Sequence, residues 1–217
     1  MIPNHPFIHG FLKQYPDIVL VMASKYIEPA DFKAFYDAGI THFGESRDDA
    51  FIEKVDCVDL PITWHFLGTL QTKKVKKLIH RVDVLHSLDR LKLAKEINKR
   101  RSEPLPCFIQ VNISGEPQKH GVSPDALAEF VDHIKAYPNI ELIGLMGMAQ
   151  YSDDFTLIRH QFKTLRDLRD TLIKENPSIQ YLSMGMTNDY EIAIMEGASH
   201  VRLGRILLQE EAPDEEK

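Results

Sequence analysis

Eight short apolar runs, each followed by a stretch with helical spacing, constrain this chain of 217 residues more than any other feature. The predicted strands are Ile18–Ala23, Ile40–Phe43, Ile62–Gly68, Val82–Leu88, Leu105–Asn112, Leu142–Met148, Ile179–Ser183 and Ser199–Leu203. Several are almost unbroken in apolar character, as strands are when helices cover the sheet. Strict alternation of strand and helix means a parallel sheet with right-handed crossovers. Eight such units close into an α/β (β/α)8 TIM-type barrel, and 43% hydrophobic residues are enough for its core. An open doubly wound sheet is the alternative. No composition break is long enough for a linker, so one domain is expected over residues 1–217. It has a short lead at 1–16, with at most one short helix between Pro6 and Tyr15, and an acidic tail at 210–217 that is expected to be disordered.

Between the strands, Glu28-Pro29 opens a helix that Gly39 ends, and Ser46 can cap a helix with Asp48 and Asp49 in its first turn. Asp89 can cap another. The longest helix is predicted from Phe155 to Lys174, and a short one runs from about Asp189 to Glu196 before Gly197.

A net charge of -6 argues against a general nucleic-acid binder, since such domains carry a basic face. Cys57 and Cys107 supply neither a disulfide framework nor a zinc quartet; they read as structural, and a reducing, cytoplasmic compartment is expected. Met1-Ile2-Pro3-Asn4-His5-Pro6 lacks the order of a secretory signal, and no apolar run approaches a membrane span. The 10 histidines show no metal-ligand spacing, so no metal is expected.

The polar residues gather where strands end: Ser24-Lys25, Glu45-Ser46, His65, Asn112, Ser183 and Arg202. In a parallel barrel those ends form the functional face. Lys25, at the end of an apolar strand, reads two ways. It can snorkel to water, or its amine can form a Schiff base with an aldehyde. Met184-Gly185-Met186-Thr187-Asn188 and Leu203-Gly204-Arg205 occupy the loops after strands seven and eight, a frequent phosphate site in such barrels. Thr187 as a plain N-cap and the glycines as turn residues is the competing account. A lysine and two phosphate-type loops together suggest a phosphorylated aldehyde, with pyridoxal 5'-phosphate as the candidate.

A set of ordered segments carries a family resemblance: Ala23-Ser24-Lys25, Phe43-Gly44-Glu45, Trp64-His65-Phe66-Leu67-Gly68-Thr69-Leu70-Gln71 and His86-Ser87-Leu88-Asp89-Arg90. They continue through Gln110–Ser114, Glu116, Lys119 and Gly121, then Gly144-Leu145-Met146, Leu182–Asp189 and Val201-Arg202-Leu203-Gly204. From about residue 18 to 208 the chain resembles the pyridoxal phosphate homeostasis proteins, one-domain relatives of the alanine racemase barrel. The resemblance implies that Lys25 holds the cofactor as an internal aldimine and that Ser183, Gly185, Met186, Thr187 and Gly204 hold its phosphate. It places Arg202 at the pyridine nitrogen; an ion pair of Arg202 with a barrel carboxylate such as Glu45 is the alternative. His65, Asn112 and Ser46 fall near the site, although His65 bonded to neighbouring backbone is an equal reading.

The resemblance departs from the family pattern at Ser46-Arg47, where asparagine and an aromatic are usual, and in the roughly seventeen residues before Ile18, where the family has a longer helix. The expected function is to carry or buffer the cofactor in vitamin B6 homeostasis, with apo pyridoxal-phosphate enzymes as recipients and a monomer as the state. The alternative is a racemase-like enzyme using Lys25 as base, for which a second proton acceptor and the second domain of racemases are missing from the sequence.

Overall fold

In the computed structural model, which describes residues 1–116 and 120–209, the apolar runs become strands of one closed parallel barrel. Its strands are β1 Val19–Ala23, β2 His42–Glu45, β3 Thr63–Phe66, β4 Val84–Leu88, β5 Leu105–Gln110, β6 Ile140–Met146, β7 Tyr181–Ser183 and β8 His200–Leu203. Each pairs with the next, and β1 closes on β8 in the register Val19↔His200 to Met22↔Leu203. The open-sheet alternative is thereby excluded. Lys119 and the acidic tail at 210–217 lie outside the described residues.

The helices are α1 His5–Gln14, α2 Phe32–Asp37, α3 Asp48–Cys57, α4 Val75–Leu78, α5 Leu91–Arg100, α6 Leu127–Ile134, α7 Phe155–Leu172 and α8 Tyr190–Met195. α1 fills the lead, with the Asn4 side chain accepting from the Phe7 amide. Burial of apolar faces against the outside of the sheet drives the fold. Phe32, Phe35, Phe51, Leu93, Ile97, Phe130, Ile158, Phe162 and Leu165 all lie in that outer core.

Two expected caps do not form. Arg47, not Ser46, precedes α3, because the Glu45 carboxylate captures the Ser46 amide at 2.7 Å and turns the chain one residue later. Arg90, not Asp89, precedes α5; the Asp89 carboxylate instead pairs with the Arg90 guanidinium. The boundaries of β2 to β7 also differ from expectation by up to about two residues at one or both ends, the usual scatter of strand ends.

Inside the barrel the packing is different in kind. Side chains alternate across each strand, so His42, His65, His86, Phe108, Ser183, His200 and Arg202 share the interior. This inner layer is polar, and that polarity shapes the mouth of the barrel.

Candidate functional site

Lys25 stands in the single turn Ser24–Tyr26 that continues β1 beyond the sheet. Its side chain is exposed, with Nζ 5.3 Å from the centre of the Tyr26 ring. The turn is anchored from beneath. Ser24 is fully buried, and its hydroxyl donates to the carbonyl of Gly44 at 3.0 Å and approaches Glu45 Oε2 at 3.2 Å. Lys54 of α3, also buried, donates to the Ser24 carbonyl at 2.7 Å and to Glu45 Oε2 at 2.6 Å. Glu45 therefore pairs with Lys54, not with Arg202.

Arg202 points along the interior of β8. It donates Nη1–H to Ser183 Oγ at 2.6 Å and Nη2–H to the carbonyl of Gly147 at 3.1 Å. Burial pulls the guanidinium down to about 10, with Asp189 acting in the opposite sense; it remains protonated at neutral pH. The loop after β7 contains Gly185, whose φ of 92° lies in the left-handed region and whose carbonyl accepts from the Arg202 amide at 3.0 Å. A Cβ at Gly185 would stand 2.7 Å from Ala193 Cβ, so α8 packs where only glycine fits.

The Met186 amide donates to Asp189 Oδ1 at 2.6 Å, and this closes the turn. Burial raises the Asp189 carboxyl above the ordinary range, opposed by the Met186 amide and Arg202. Thr187 is half-buried and lines a cleft of about 310 Å³ with Ala149, Tyr151, Met186, Asn188 and Arg205. Lys25 does not line that cleft. Register supplies the link between the two: Met22 is opposite Leu203, so Ala23 and Gly204 follow side by side. A Cβ on Gly204 would find nothing closer than Ala23 at 3.7 Å. That is ordinary contact, so the Gly204 backbone lies directly against the end of β1.

The remaining expected residues take other roles. Asn112 organises its own loop, donating to the Glu116 carbonyl at 2.9 Å and accepting from Ser114 Oγ at 3.2 Å. Ser46 is exposed, and its carbonyl lies where a Cβ on Gly68 would be, at 2.0 Å. His65 is fully buried and, among the described residues, its ring bonds to His42 and His86 and not to neighbouring backbone. His86 in turn contacts Ser183 Oγ at 2.8 Å. Cys107 is buried, which raises its thiol above the ordinary value, and Cys57 is exposed at the end of α3. Among the described residues no group of three histidine, cysteine or acidic side chains is arranged to hold a metal ion, and no helix is long and apolar enough to cross a membrane.

Lys54 and His86 were not assigned from sequence. Lys54 lies nine residues after Glu45, a spacing that signals nothing until the barrel brings β2 and α3 together.

A closed eight-stranded parallel barrel with a lysine after β1 and an arginine on β8 defines an alanine-racemase-type barrel, and the family model for the alanine racemase N-terminal domain matches residues 32–211. Within that class the chain belongs to the pyridoxal phosphate homeostasis protein family. The member from Aquifex aeolicus is 42% identical over 196 residues, covering 88% of this chain and 86% of its own length. The member from Pseudomonas aeruginosa is 35% identical over 192 residues, covering 87% and 82%. The structure of PipY from Synechococcus elongatus, with PLP bound, superposes with a TM-score of 0.85 at 28% identity, covering 95% of this chain and all of that one.

Proposed function

We propose that this chain binds pyridoxal 5'-phosphate at the barrel mouth and carries or buffers it for apo enzymes that need it, without turning over a substrate of its own. The convergence of the β1, β7 and β8 ends carries this reading: an amine on a pinned turn, a buried guanidinium, and a glycine-bearing loop after each of β7 and β8. Its family membership and the PLP-bound PipY structure support it.

Lys25 supplies a primary amine that condenses with the aldehyde and releases water. The Glu45–Lys54 pair holds its turn in place. Gly204 lets backbone approach the phosphate closely and Thr187 offers a hydroxyl, while Ser183 holds Arg202; Met186 keeps the loop closed through Asp189. Arg202 has only N–H groups to present, so a ring nitrogen facing it stays unprotonated. The bound cofactor supplies an electron sink, and that sink is weak while its ring is neutral. Arg202 thus favours retention over carbanion chemistry.

The test is a visible spectrum of purified protein reconstituted with pyridoxal phosphate, for the wild type and Lys25→Ala. The wild type should show a bound chromophore that Lys25→Ala lacks. A wild type that takes up no cofactor would overturn the binding, and turnover of alanine or serine enantiomers that disappears in Lys25→Ala would overturn the carrier role.

A further inference from the structure

Three imidazoles climb through the barrel like a stair. His42 is opposite Thr63, and His65 lies two residues further along β3; His65 is opposite Val84, and His86 lies two residues further along β4. The ring centroids of successive steps are 5.1 and 5.0 Å apart. The rings meet nitrogen to nitrogen: His42 Nδ1 to His65 Nε2 at 2.9 Å, and His65 Nδ1 to His86 Nε2 at 2.8 Å. The top step crosses the barrel, with His86 Nδ1 2.8 Å from Ser183 Oγ, the atom that also accepts from Arg202.

Such a chain has two self-consistent proton arrangements, because each neutral imidazole donates at one nitrogen and accepts at the other. In the first, every ring carries its proton on Nε2. Ser183 then donates to His86, His86 to His65, and His65 to His42. In the second all three protons sit on Nδ1, and Ser183 accepts from both His86 and Arg202. The end charges choose between them. The Arg202 guanidinium stands at the top; Asp83, whose carboxylate acts on His42, stands at the floor. N–H dipoles directed away from a cation and toward an anion are favoured, which selects the Nε2–H arrangement throughout. Burial holds His65 and His86 well below the ordinary histidine range, so the rings in the stair stay neutral.

We propose that His86 is a positioning residue for the ligand: by taking the Ser183 proton it fixes Ser183 as an acceptor, and Ser183 with the Gly147 carbonyl aims Arg202 into the mouth. His65 and His42 hold His86 in the tautomer that does this. The consequence for cofactor rests on the proposed function; the aiming of Arg202 does not.

Two experiments separate these. In protein without cofactor, nitrogen-15 NMR should find His65 and His86 protonated on Nε2 and bare on Nδ1. It should also find an Arg202 Nε–H signal that exchanges slowly in wild type, quickly in His86→Phe, and slowly again in His86→Asn, which restores an acceptor. A proton on His86 Nδ1, or Arg202 exchange indifferent to both variants, would overturn the proposal. In reconstituted protein, His86→Phe should weaken pyridoxal phosphate binding about tenfold and shift the chromophore maximum, and His86→Asn should recover both. Equal loss of affinity in the two variants with an unmoved spectrum would mean that His86 only supports packing. Should His86→Phe fail to fold, His42→Phe at the half-buried floor serves, with a loss of the single His65 tautomer expected. A wild type that takes up no cofactor, while the NMR results hold, would sink the proposed function and leave the positioning of Arg202 standing.

Discussion

Lys54 and Glu45 form a buried ion pair at 2.6 Å directly beneath the turn that carries Lys25, and the same ammonium caps the Ser24 carbonyl at 2.7 Å. Removing one partner of a buried pair leaves the other charge without compensation, which costs about 3–5 kcal/mol. Lys54→Met should therefore lower stability by that order and loosen the Ser24–Tyr26 turn. Lys54→Met combined with Glu45→Leu should recover much of the stability, since no unpaired charge remains, without recovering the grip on Ser24. Denaturant titration of the three proteins, beside their uptake of pyridoxal phosphate, checks this. A double variant no more stable than Lys54→Met would refute it.

Gly185 combines a φ of 92° with a Cβ position only 2.7 Å from Ala193. Gly185→Ala forces either the loop or α8 to move, at a cost of about 1–3 kcal/mol. The Gly185 carbonyl also accepts from the Arg202 amide, so the displacement reaches the mouth. Phosphate-dependent affinity should fall more than affinity for pyridoxal, which lacks the phosphate. Comparing the two ligands on Gly185→Ala by equilibrium binding distinguishes a loop effect from general damage; a proportionate loss for both would argue against the loop.

The alternation of apolar runs and helical patterns made the barrel legible, and residues at strand ends pointed to the mouth. The strand-end positions of Lys25, Ser183 and Arg202 and the loop positions of Gly185 and Gly204 were legible in that way. What sequence could not show was the inside of the barrel. His42, His65 and His86 are separated by 23 and 21 residues, a spacing that matches no ligand motif. It matches the length of one strand-helix repeat, and that was the available signal: one inward histidine per repeat on three successive strands. Only the pairing register shows that they also rise two residues at each step. Ser46 and Asp89 fail as caps for a related reason: a neighbouring charged side chain, the Glu45 carboxylate at Ser46 and the Arg90 guanidinium at Asp89, outcompetes the local capping geometry.

Ser87 follows the inward-facing His86 on β4, within the shift of register between Leu85 and Leu88. Its hydroxyl is buried and has no hydrogen-bond partner among the described residues. An unsatisfied buried hydroxyl is a cost of about 1–3 kcal/mol that an apolar replacement removes. Ser87→Ala should thus leave stability unchanged or raise it by about 1 kcal/mol, against a small loss from the cavity. Thermal melts of the two proteins read the difference. A loss well beyond the size of one oxygen would mean that the hydroxyl is bonded after all.

Acid should weaken this fold earlier than carboxylate titration would. Burial holds His200 down to about 3 and keeps His65 and His86 well below the usual histidine value of 6.5; His42 is lowered as well, with Asp83 opposing. In the unfolded chain these rings titrate near about 6.5. Between that value and the folded ones, the unfolded chain binds protons that the folded chain refuses, so stability rises with pH across the window and is lost as pH falls. Each ring contributes up to about 1.4 kcal/mol per pH unit there. Denaturation midpoints between about pH 7.5 and about pH 5 should fall steeply from about 6.5 downward. His200→Gln, which removes one titrating ring beside Phe108, should reduce that slope by close to one proton's worth even if it lowers stability at neutral pH. A stability curve flat down to about pH 5 would mean that the interior admits protonated imidazole and that the stair of histidines is not held neutral.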